Sequence, residues 1–254
     1  MIILKSKDEL LLMREAGRLV AEAQALIEKH LRPGVTTKEL DELVASFLKE
    51  KKARSTFLGY RGFLGYRGFP AHICTAINEE VVHGIPGKRR LSNGDIIGID
   101  IGVRLNGYCG DRAVTYPVGE ISSRAKKLLE VTEEALYRGI KKAVIGNRLS
   151  DISHAIQSYV EGRGYSVVRD YVGHGIGQKM HEDPPVPHFG PPGRGPRLKE
   201  GMVLAIEPMV NAGDFKVRVK GDNWTVVTLD RSLSAQFEHT VAITRKGPWV
   251  LTEL

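Results

Sequence analysis

Apolar residues recur at three- and four-residue intervals in four segments of the chain, which is the spacing of amphipathic helices. The first predicted helix begins at the capping-box pattern of residues 6–9 and ends before Pro33, and the second runs from residue 36 to about residue 52. A third is predicted over residues 121–144, and Ser150 is predicted to cap a fourth that ends near residue 162. The helices therefore fall into two pairs that are separated by a long intervening segment.

Alternating and short apolar runs follow each helix pair and predict strands. The predicted strand segments are 73–118, 166–172, 202–206, 225–229 and 236–244, and the Pro- and Gly-rich segment 182–196 is predicted to be a loop. The repeated order predicts an α+β fold with two similar halves, about 1–120 and 121–254, each placing helices on an antiparallel sheet. We see no linker between them, so residues 1–254 are expected to form a single domain.

Composition places the chain among ordinary globular proteins. It has 254 residues, 42% of them hydrophobic and 26% charged, with no segment typical of a membrane span or a signal peptide. Cys74 and Cys109 are its only cysteines and form no disulfide framework, so a reducing cytoplasm is expected. The net charge of +7 is dispersed, and it fits either acidic partners such as nucleic acid or a solubility requirement.

Two carboxylates are predicted to converge on one hairpin of the first half. Asn106–Gly107 is a strong two-residue turn signal, and a turn there places Gly102 opposite Asp111. Asp100 then lies on the same face as Asp111, diagonally across the hairpin at about 7–8 Å. Two acids on one apolar face repel each other unless a cation lies between them.

The second half carries further polar residues in apolar settings. Glu207 ends the apolar run LAIEPM, Glu238 begins the strand FEHTVAI, and His174 lies between glycines in GHGIG, where another backbone segment is expected to approach closely. Four carboxylates and one imidazole form an oxygen-dominated set, which suits a pair of divalent ions (Mn, Fe, Co or Zn, and Mg less well) rather than a structural zinc.

The order and settings of these residues resemble the methionine aminopeptidases. The matching motifs are IGID, GYCGD, GHGIG, IEPM and FEHT, and the resemblance covers essentially the whole chain. It implies the pita-bread fold, whose two pseudo-symmetric halves agree with the repeated pattern, and the short bacterial type I form of the family. It further implies a metal-dependent aminopeptidase that removes the initiator methionine from nascent proteins when the second residue is small.

The resemblance implies a role for each metal-site residue. Asp100 would bind one ion with both oxygens, Asp111 and Glu238 would bridge two ions, and His174 and Glu207 would complete the second. The ions would be Co, Mn, Fe or Zn and would activate a water, while Glu207 would carry its proton to the leaving amine.

Substrate contacts are implied as well. His181, in KMHEDP, would stabilise the oxyanion, and His83, in VVHGIP, would contact the next peptide nitrogen. The methionine side chain would bind in a pocket lined by aromatic residues and a cysteine, which suit a thioether. The pocket candidates are Phe63, Tyr66, Phe69, Cys74 and Trp224.

One feature of the pocket segment is unusual: the hexapeptide FLGYRG occurs twice in tandem, at residues 57–62 and 63–68. The second copy is joined through Pro70 to Cys74 and the following strand. We therefore expect Tyr66 and Phe69 to line the pocket and residues 57–62 to bulge out at its rim. The repeat could also have arisen by replication slippage or during cloning.

Two other functions are compatible with parts of the pattern. A proline-directed peptidase of the same fold usually carries an extra N-terminal domain and additional histidine ligands, and a catalytically inactive homologue that binds RNA or the ribosome should have lost ligands. The expected partners are the N-termini of nascent polypeptides, with transient ribosome contact, for a monomer that binds no membrane. The sequence leaves open the metal, the number of ions, the mode of ribosome contact and which copy of FLGYRG lines the pocket.

Overall fold

The computed structural model describes residues 1–61 and 68–254. Within them lie four helices, α1 Lys7–His30, α2 Thr37–Glu50, α3 Ser123–Ile140 and α4 Leu149–Glu161. The strands are β1 Arg54–Ser55, β2 Cys74–Ile77, β3 Glu80–Val82, β4 Ile96–Leu105, β5 Tyr108–Pro117, β6 Ser166–Val167, β7 Gly173–Gly175, β8 Glu182–Val186, β9 Val203–Ile206, β10 Met209–Asn211, β11 Val217–Val219, β12 Val226–Thr228, β13 Ser234–Gln236, β14 His239–Thr244 and β15 Gly247–Val250. None of the helices in the described ranges is long and apolar enough to cross a membrane.

The helix starts follow local hydrogen bonding, as the sequence indicates for the first two. Ser6 and Glu9 form a reciprocal capping box at the start of α1, and Thr36 and Glu39 form another at α2. The prediction for α4 was wrong in detail. At the start of α4, the Asp151 carboxylate accepts a hydrogen bond from the Arg148 amide at 2.7 Å. The Ser150 hydroxyl instead accepts a hydrogen bond from the amide of Arg194.

The first half is built on a long hairpin. β4 pairs with β5 along its whole length and with β1 and β2 along its other edge, all antiparallel. The turn residues Asn106 and Gly107 have φ angles of 49° and 87°, as the two-residue turn requires. α1 and α2 cover this sheet through an apolar cluster that includes Val20, Ile27 and Ile99.

The second half is built on a five-stranded antiparallel sheet in the order β15-β14-β9-β7-β8. α3 and α4 pack on it through the largest apolar cluster of the described residues. β8 lies within residues 182–196, so the prediction of a continuous loop there was wrong. Pro184 and Pro185 are compatible with a strand because β8 is at the edge of the sheet and its pairing with β7 is irregular between Pro185 and Glu182.

A smaller sheet joins the two halves, because β3 of the first half pairs with β12 of the second. The halves also meet at β5, where the Glu238 amide donates to the carbonyl oxygen of Ala113 at 2.8 Å. Asp111 and Thr240 are tied across the same junction by two hydrogen bonds of 3.0 and 2.9 Å. This junction fixes the position of β14 against the hairpin that carries Asp100 and Asp111.

Candidate metal centre

The hairpin register brings Asp100 and Asp111 together as the sequence predicted. Gly102 is opposite Asp111 and Asp100 is opposite Ala113. The two carboxyl groups lie within hydrogen-bonding distance of each other. A side chain at position 102 would not fit, since its Cβ would lie 2.0 Å from Oγ1 of Thr56.

The second sheet supplies Glu207, Glu238 and His174 from neighbouring strands. Glu207 follows the last residue of β9 and Glu238 precedes the first residue of β14; Ile206 is opposite His239, so one further step places the two glutamates opposite each other. His174 is opposite Ala205 on the other side of β9. The close backbone approach predicted for the flanking glycines is confirmed, because a Cβ at Gly175 would lie 2.1 Å from the carbonyl oxygen of Asp183.

Ligand atoms from three of these residues form a compact group. One atom each from Asp111, His174 and Glu238 lie within 4.8 Å of one another, and all three residues are buried. Nε2 of His174 is 3.5 Å from Oε1 of Glu207 and 3.8 Å from Oδ2 of Asp111. Asp100 extends the group through its contact with Asp111.

The tautomer of His174 makes this geometry unfavourable without a cation. Its Nδ1 lies 2.9 Å from the carbonyl oxygen of Gly175, which can only accept, so Nδ1 carries the proton. Burial and the proximity of His181 lower the pKa of His174 to about 3, so the ring is neutral. The Nε2 lone pair therefore faces carboxylate oxygens of Asp111 and Glu207, and a metal ion between them resolves the repulsion.

The four carboxyl groups are also unfavourably placed in their charged forms unless a cation is bound. Burial raises the pKa of Asp100 to about 7, and burial together with the neighbouring carboxylates raises the pKa values of Asp111, Glu207 and Glu238 well above the usual range. In the described residues, none of the four has a lysine or arginine in a salt bridge, and Oδ1 of Asp100, Oδ1 of Asp111 and Oε1 of Glu238 are buried without a hydrogen-bond partner. This donor set fits divalent cations.

Removing divalent ions with a chelator should lower the melting temperature, and by more near pH 8 than near pH 5. Without cations, the folded carboxyl groups have raised pKa values, about 7 for Asp100, whereas unfolded Asp and Glu titrate near about 4. Their contribution to stability is fully present below about pH 4 and is lost as the pH rises through the folded pKa, because charged groups then repel one another. Calorimetry with and without chelator across this range measures the effect. A chelator effect independent of pH would place the cations elsewhere.

Three residues that the sequence reasoning did not select hold this group in place. Nε2 of Gln236 donates to Oε2 of Glu207 at 3.1 Å, and the Glu207 amide donates to Nε2 of the buried His188 at 3.1 Å. Thr240 fixes the backbone of Asp111, as described above. Gln236 and Thr240 lie within two residues of Glu238, whereas His188 is distant in sequence, and contacts of this kind depend on how the segments pack.

The two predicted substrate histidines lie beside the metal ligands. The His181 and His174 rings are 4.2 Å apart between centroids, and burial lowers the pKa of His181 to about 4. His83 has a left-handed backbone with φ of 60°, contacts the ring of Tyr171, and has a pKa of about 4 through burial and its proximity to His181.

Three of the pocket candidates belong to one cluster. Phe69 and Cys74 are buried in it, and the Phe69 ring meets Trp224 edge to face at 5.2 Å. Phe63 and Tyr66 lie outside the described residues. The same cluster contains residues that the sequence reasoning did not select, namely Phe57, Tyr60 and Met180.

The expectation that residues 57–62 bulge out at the rim was wrong for Phe57 and Tyr60, whereas Leu58, Gly59 and Arg61 are exposed. Phe57 is 8% exposed and packs against Phe69, with ring centroids 6.5 Å apart. Tyr60 is partly buried and its hydroxyl lies 2.8 Å from Nδ1 of His181. Aromatic burial favours this arrangement, since each such ring removes a large apolar area from water.

Comparison with known proteins identifies similar sequences and structures. The sequence profile of metallopeptidase family M24 matches residues 11–245. Methionine aminopeptidase 1 of Bacillus subtilis is 59% identical over 254 residues, which is 100% of both chains, and a methionine aminopeptidase of Clostridium acetobutylicum is 57% identical over 99% of both. The crystal structure of methionine aminopeptidase from Rickettsia prowazekii superposes with a TM-score of 0.96 at 45% identity, covering 99% of this chain and 100% of that one.

Proposed function

Because this chain belongs to metallopeptidase family M24, we propose specific roles for its residues in the removal of N-terminal methionine. The chain is a metal-dependent aminopeptidase with the α+β pita-bread fold. Neither a proline-directed peptidase nor an inactive RNA-binding homologue is favoured, and all five ligand positions of the resemblance are occupied by the expected residue types. We propose that residues 1–254 act as one catalytic domain with two pseudo-repeated halves.

The observation that carries this proposal is the convergence of unpartnered buried carboxylate oxygens with the Nε2 lone pair of His174. Asp100, Asp111, His174, Glu207 and Glu238 would hold two divalent ions, with Asp111 and Glu238 shared between them. Ions bound there would supply an acidified water and would polarise the scissile carbonyl group. Co, Mn, Fe and Zn all suit this set of oxygen and nitrogen donors.

Glu207 would move the proton during hydrolysis. Its Oε2 is held by the Gln236 side chain, so Oε1 is the atom that faces His174 and the centre. A carboxylate beside the centre can act as a general base for the attacking water. It would take a proton at Oε1 and deliver it to the departing amine.

His181 and His83 would bind the peptide around the scissile bond. His181, neutral and packed against His174, would donate a hydrogen bond to the oxygen on which negative charge develops. His83 would contact the next peptide nitrogen. The methionine side chain would enter the aromatic cluster that contains Phe69, Cys74 and Trp224, together with Phe63 and Tyr66 as the sequence suggests.

The cellular setting follows from the substrate class. The substrates would be the N-termini of nascent polypeptides, met in the cytoplasm by a monomer that contacts the ribosome transiently.

Peptide hydrolysis tests this function. Protein purified without oxygen and reconstituted separately with Mn, Fe, Co or Zn should release methionine from Met-Ala-Ser, and a much lower rate is expected for Met-Leu-Ser because of crowding beside the metal centre. Leu-Ala-Ser and a chelator-treated sample serve as controls. Reconstituted protein that releases no methionine with any of these metals would disprove the proposal.

A further inference from the structure

Deleting one copy of the tandem repeat cannot show which copy contributes to the site. Removing residues 57–62 or residues 63–68 yields the same sequence, STFLGYRGFP, because the two copies are identical. The structure describes the contacts that residues 57–61 of the first copy make. Phe57 packs against the hairpin of β4 and β5, since a Cβ on Gly102 of β4 would be 3.1 Å from the Phe57 ring.

The first copy is held in place from both sides. The Gly59 amide donates to the Phe69 carbonyl oxygen at 2.8 Å, and the Phe69 amide donates to the Tyr60 carbonyl oxygen at 2.7 Å. The Tyr60 amide in turn donates to the carbonyl oxygen of Phe57 at 2.8 Å, which closes a turn at Gly59, where φ is 80°. Gly68 is packed against this turn, since a Cβ there would lie 2.6 Å from the Gly59 carbonyl oxygen.

These backbone hydrogen bonds hold Tyr60 where its side chain contacts His181. The hydroxyl oxygen is 2.8 Å from Nδ1, and the ring centroids are 5.1 Å apart with the planes tilted by 40°. The His181 ring also packs against the His174 ring, with the two ring centroids 4.2 Å apart. The imidazole is therefore held by a hydrogen bond at one nitrogen and by ring packing against a metal ligand.

We infer that the first copy of the repeat supplies a positioning residue: Tyr60 donates its hydroxyl proton to Nδ1 of His181 and so keeps the proton of the neutral ring on Nε2. The phenol retains its proton, because burial raises the Tyr60 pKa above its ordinary value. With Nδ1 accepting, the ring proton is on Nε2, the nitrogen that would donate to a developing oxyanion. Tyr60 thus acts through His181, and the inference rests on the proposed function of that histidine.

The defining variant is Tyr60→Phe, which removes one hydroxyl and leaves the ring in the cluster. In wild type, ¹⁵N spectra of the His181 ring should show protonated Nε2 and acceptor Nδ1, in both the metal-free and the zinc-loaded protein. In Tyr60→Phe the two tautomers should mix, and kcat for Met-Ala-Ser should fall about three- to tenfold with KM little changed, as expected for loss of one neutral hydrogen bond. The ¹⁵N signals of the His181 ring are identified as those missing from the spectrum of His181→Ala.

Tyr116→Phe is the matched control. It removes a hydroxyl that bonds Gln24 of α1 at 3.0 Å, and it should leave both the tautomer and kcat unchanged. In the single-copy protein made by deleting six residues, the same Tyr→Phe change at the remaining tyrosine should reproduce the effect of Tyr60→Phe.

Three outcomes would overturn the inference. They are an unchanged His181 tautomer in Tyr60→Phe, an unchanged kcat in that variant, or a shift in tautomer and kcat produced by Tyr66→Phe instead. Failure of the wild-type protein to cleave any methionyl peptide would reject the proposed function, while the ¹⁵N spectra of the metal-free protein would still test the hydrogen bond.

Discussion

Asp111→Asn and Glu238→Gln should each reduce kcat by at least about 10³-fold, because the proposed roles have both carboxylates shared between two cations and a neutral amide would hold those cations much more weakly. Both side chains are buried, and each has an oxygen with no hydrogen-bond partner among the described residues. The same substitutions remove one of several repelling carboxylates. In metal-free protein near neutral pH they should therefore raise the melting temperature, which has the opposite sign to their effect on activity.

Metal analysis, steady-state kinetics and calorimetry on the same preparations measure these effects. Glu134→Gln on the exposed face of α3 is a matched control, since its ion pair with Arg138 is a surface pair of little energetic consequence. Glu207→Gln should retain part of the metal and lose most turnover. Near-wild-type kcat with full metal content in either bridging variant would show that the shared-ligand assignment is wrong.

His181→Ala should lower kcat by about 10²–10³-fold, the usual cost of removing one donor to an oxyanion. The ring is packed against His174 and hydrogen-bonded to Tyr60, so its orientation is set before substrate binds. Because the donor is used mainly in the transition state, kcat and kcat/KM should fall together.

Two further variants make the test of His181 specific. His181→Gln retains an N–H donor and should recover part of the lost rate. His154→Ala, on the exposed side of α4, should behave as wild type. A His181→Ala enzyme with altered KM and normal kcat would assign this residue to substrate binding alone.

Local signals in the sequence were sufficient for much of the fold. The capping boxes at α1 and α2 and the Asn106–Gly107 turn depend on residues within three or four positions of one another, so the pattern specifies them directly. From the turn, strand alternation fixed the register of Asp100 and Asp111. The errors at Ser150 and at β8 have a common origin, because the hydrogen-bond partners of Ser150 and the edge position of Pro184 are set by distant segments.

For the candidate site, the sequence by itself determined which residues could bind metal. The five candidate ligands are acids and a histidine in apolar or glycine-rich settings, where burying them costs free energy unless a cation is bound. Only the tertiary structure decided how they meet, since β9 and β14 must pair to place Glu207 beside Glu238 and β5 must contact the start of β14. It also decided where the first copy of the hexapeptide lies. The hydrogen bonds that join Gly59 and Tyr60 to Phe69, and the contact of Tyr60 with His181, cannot be read from local propensity because those partners lie outside the hexapeptide.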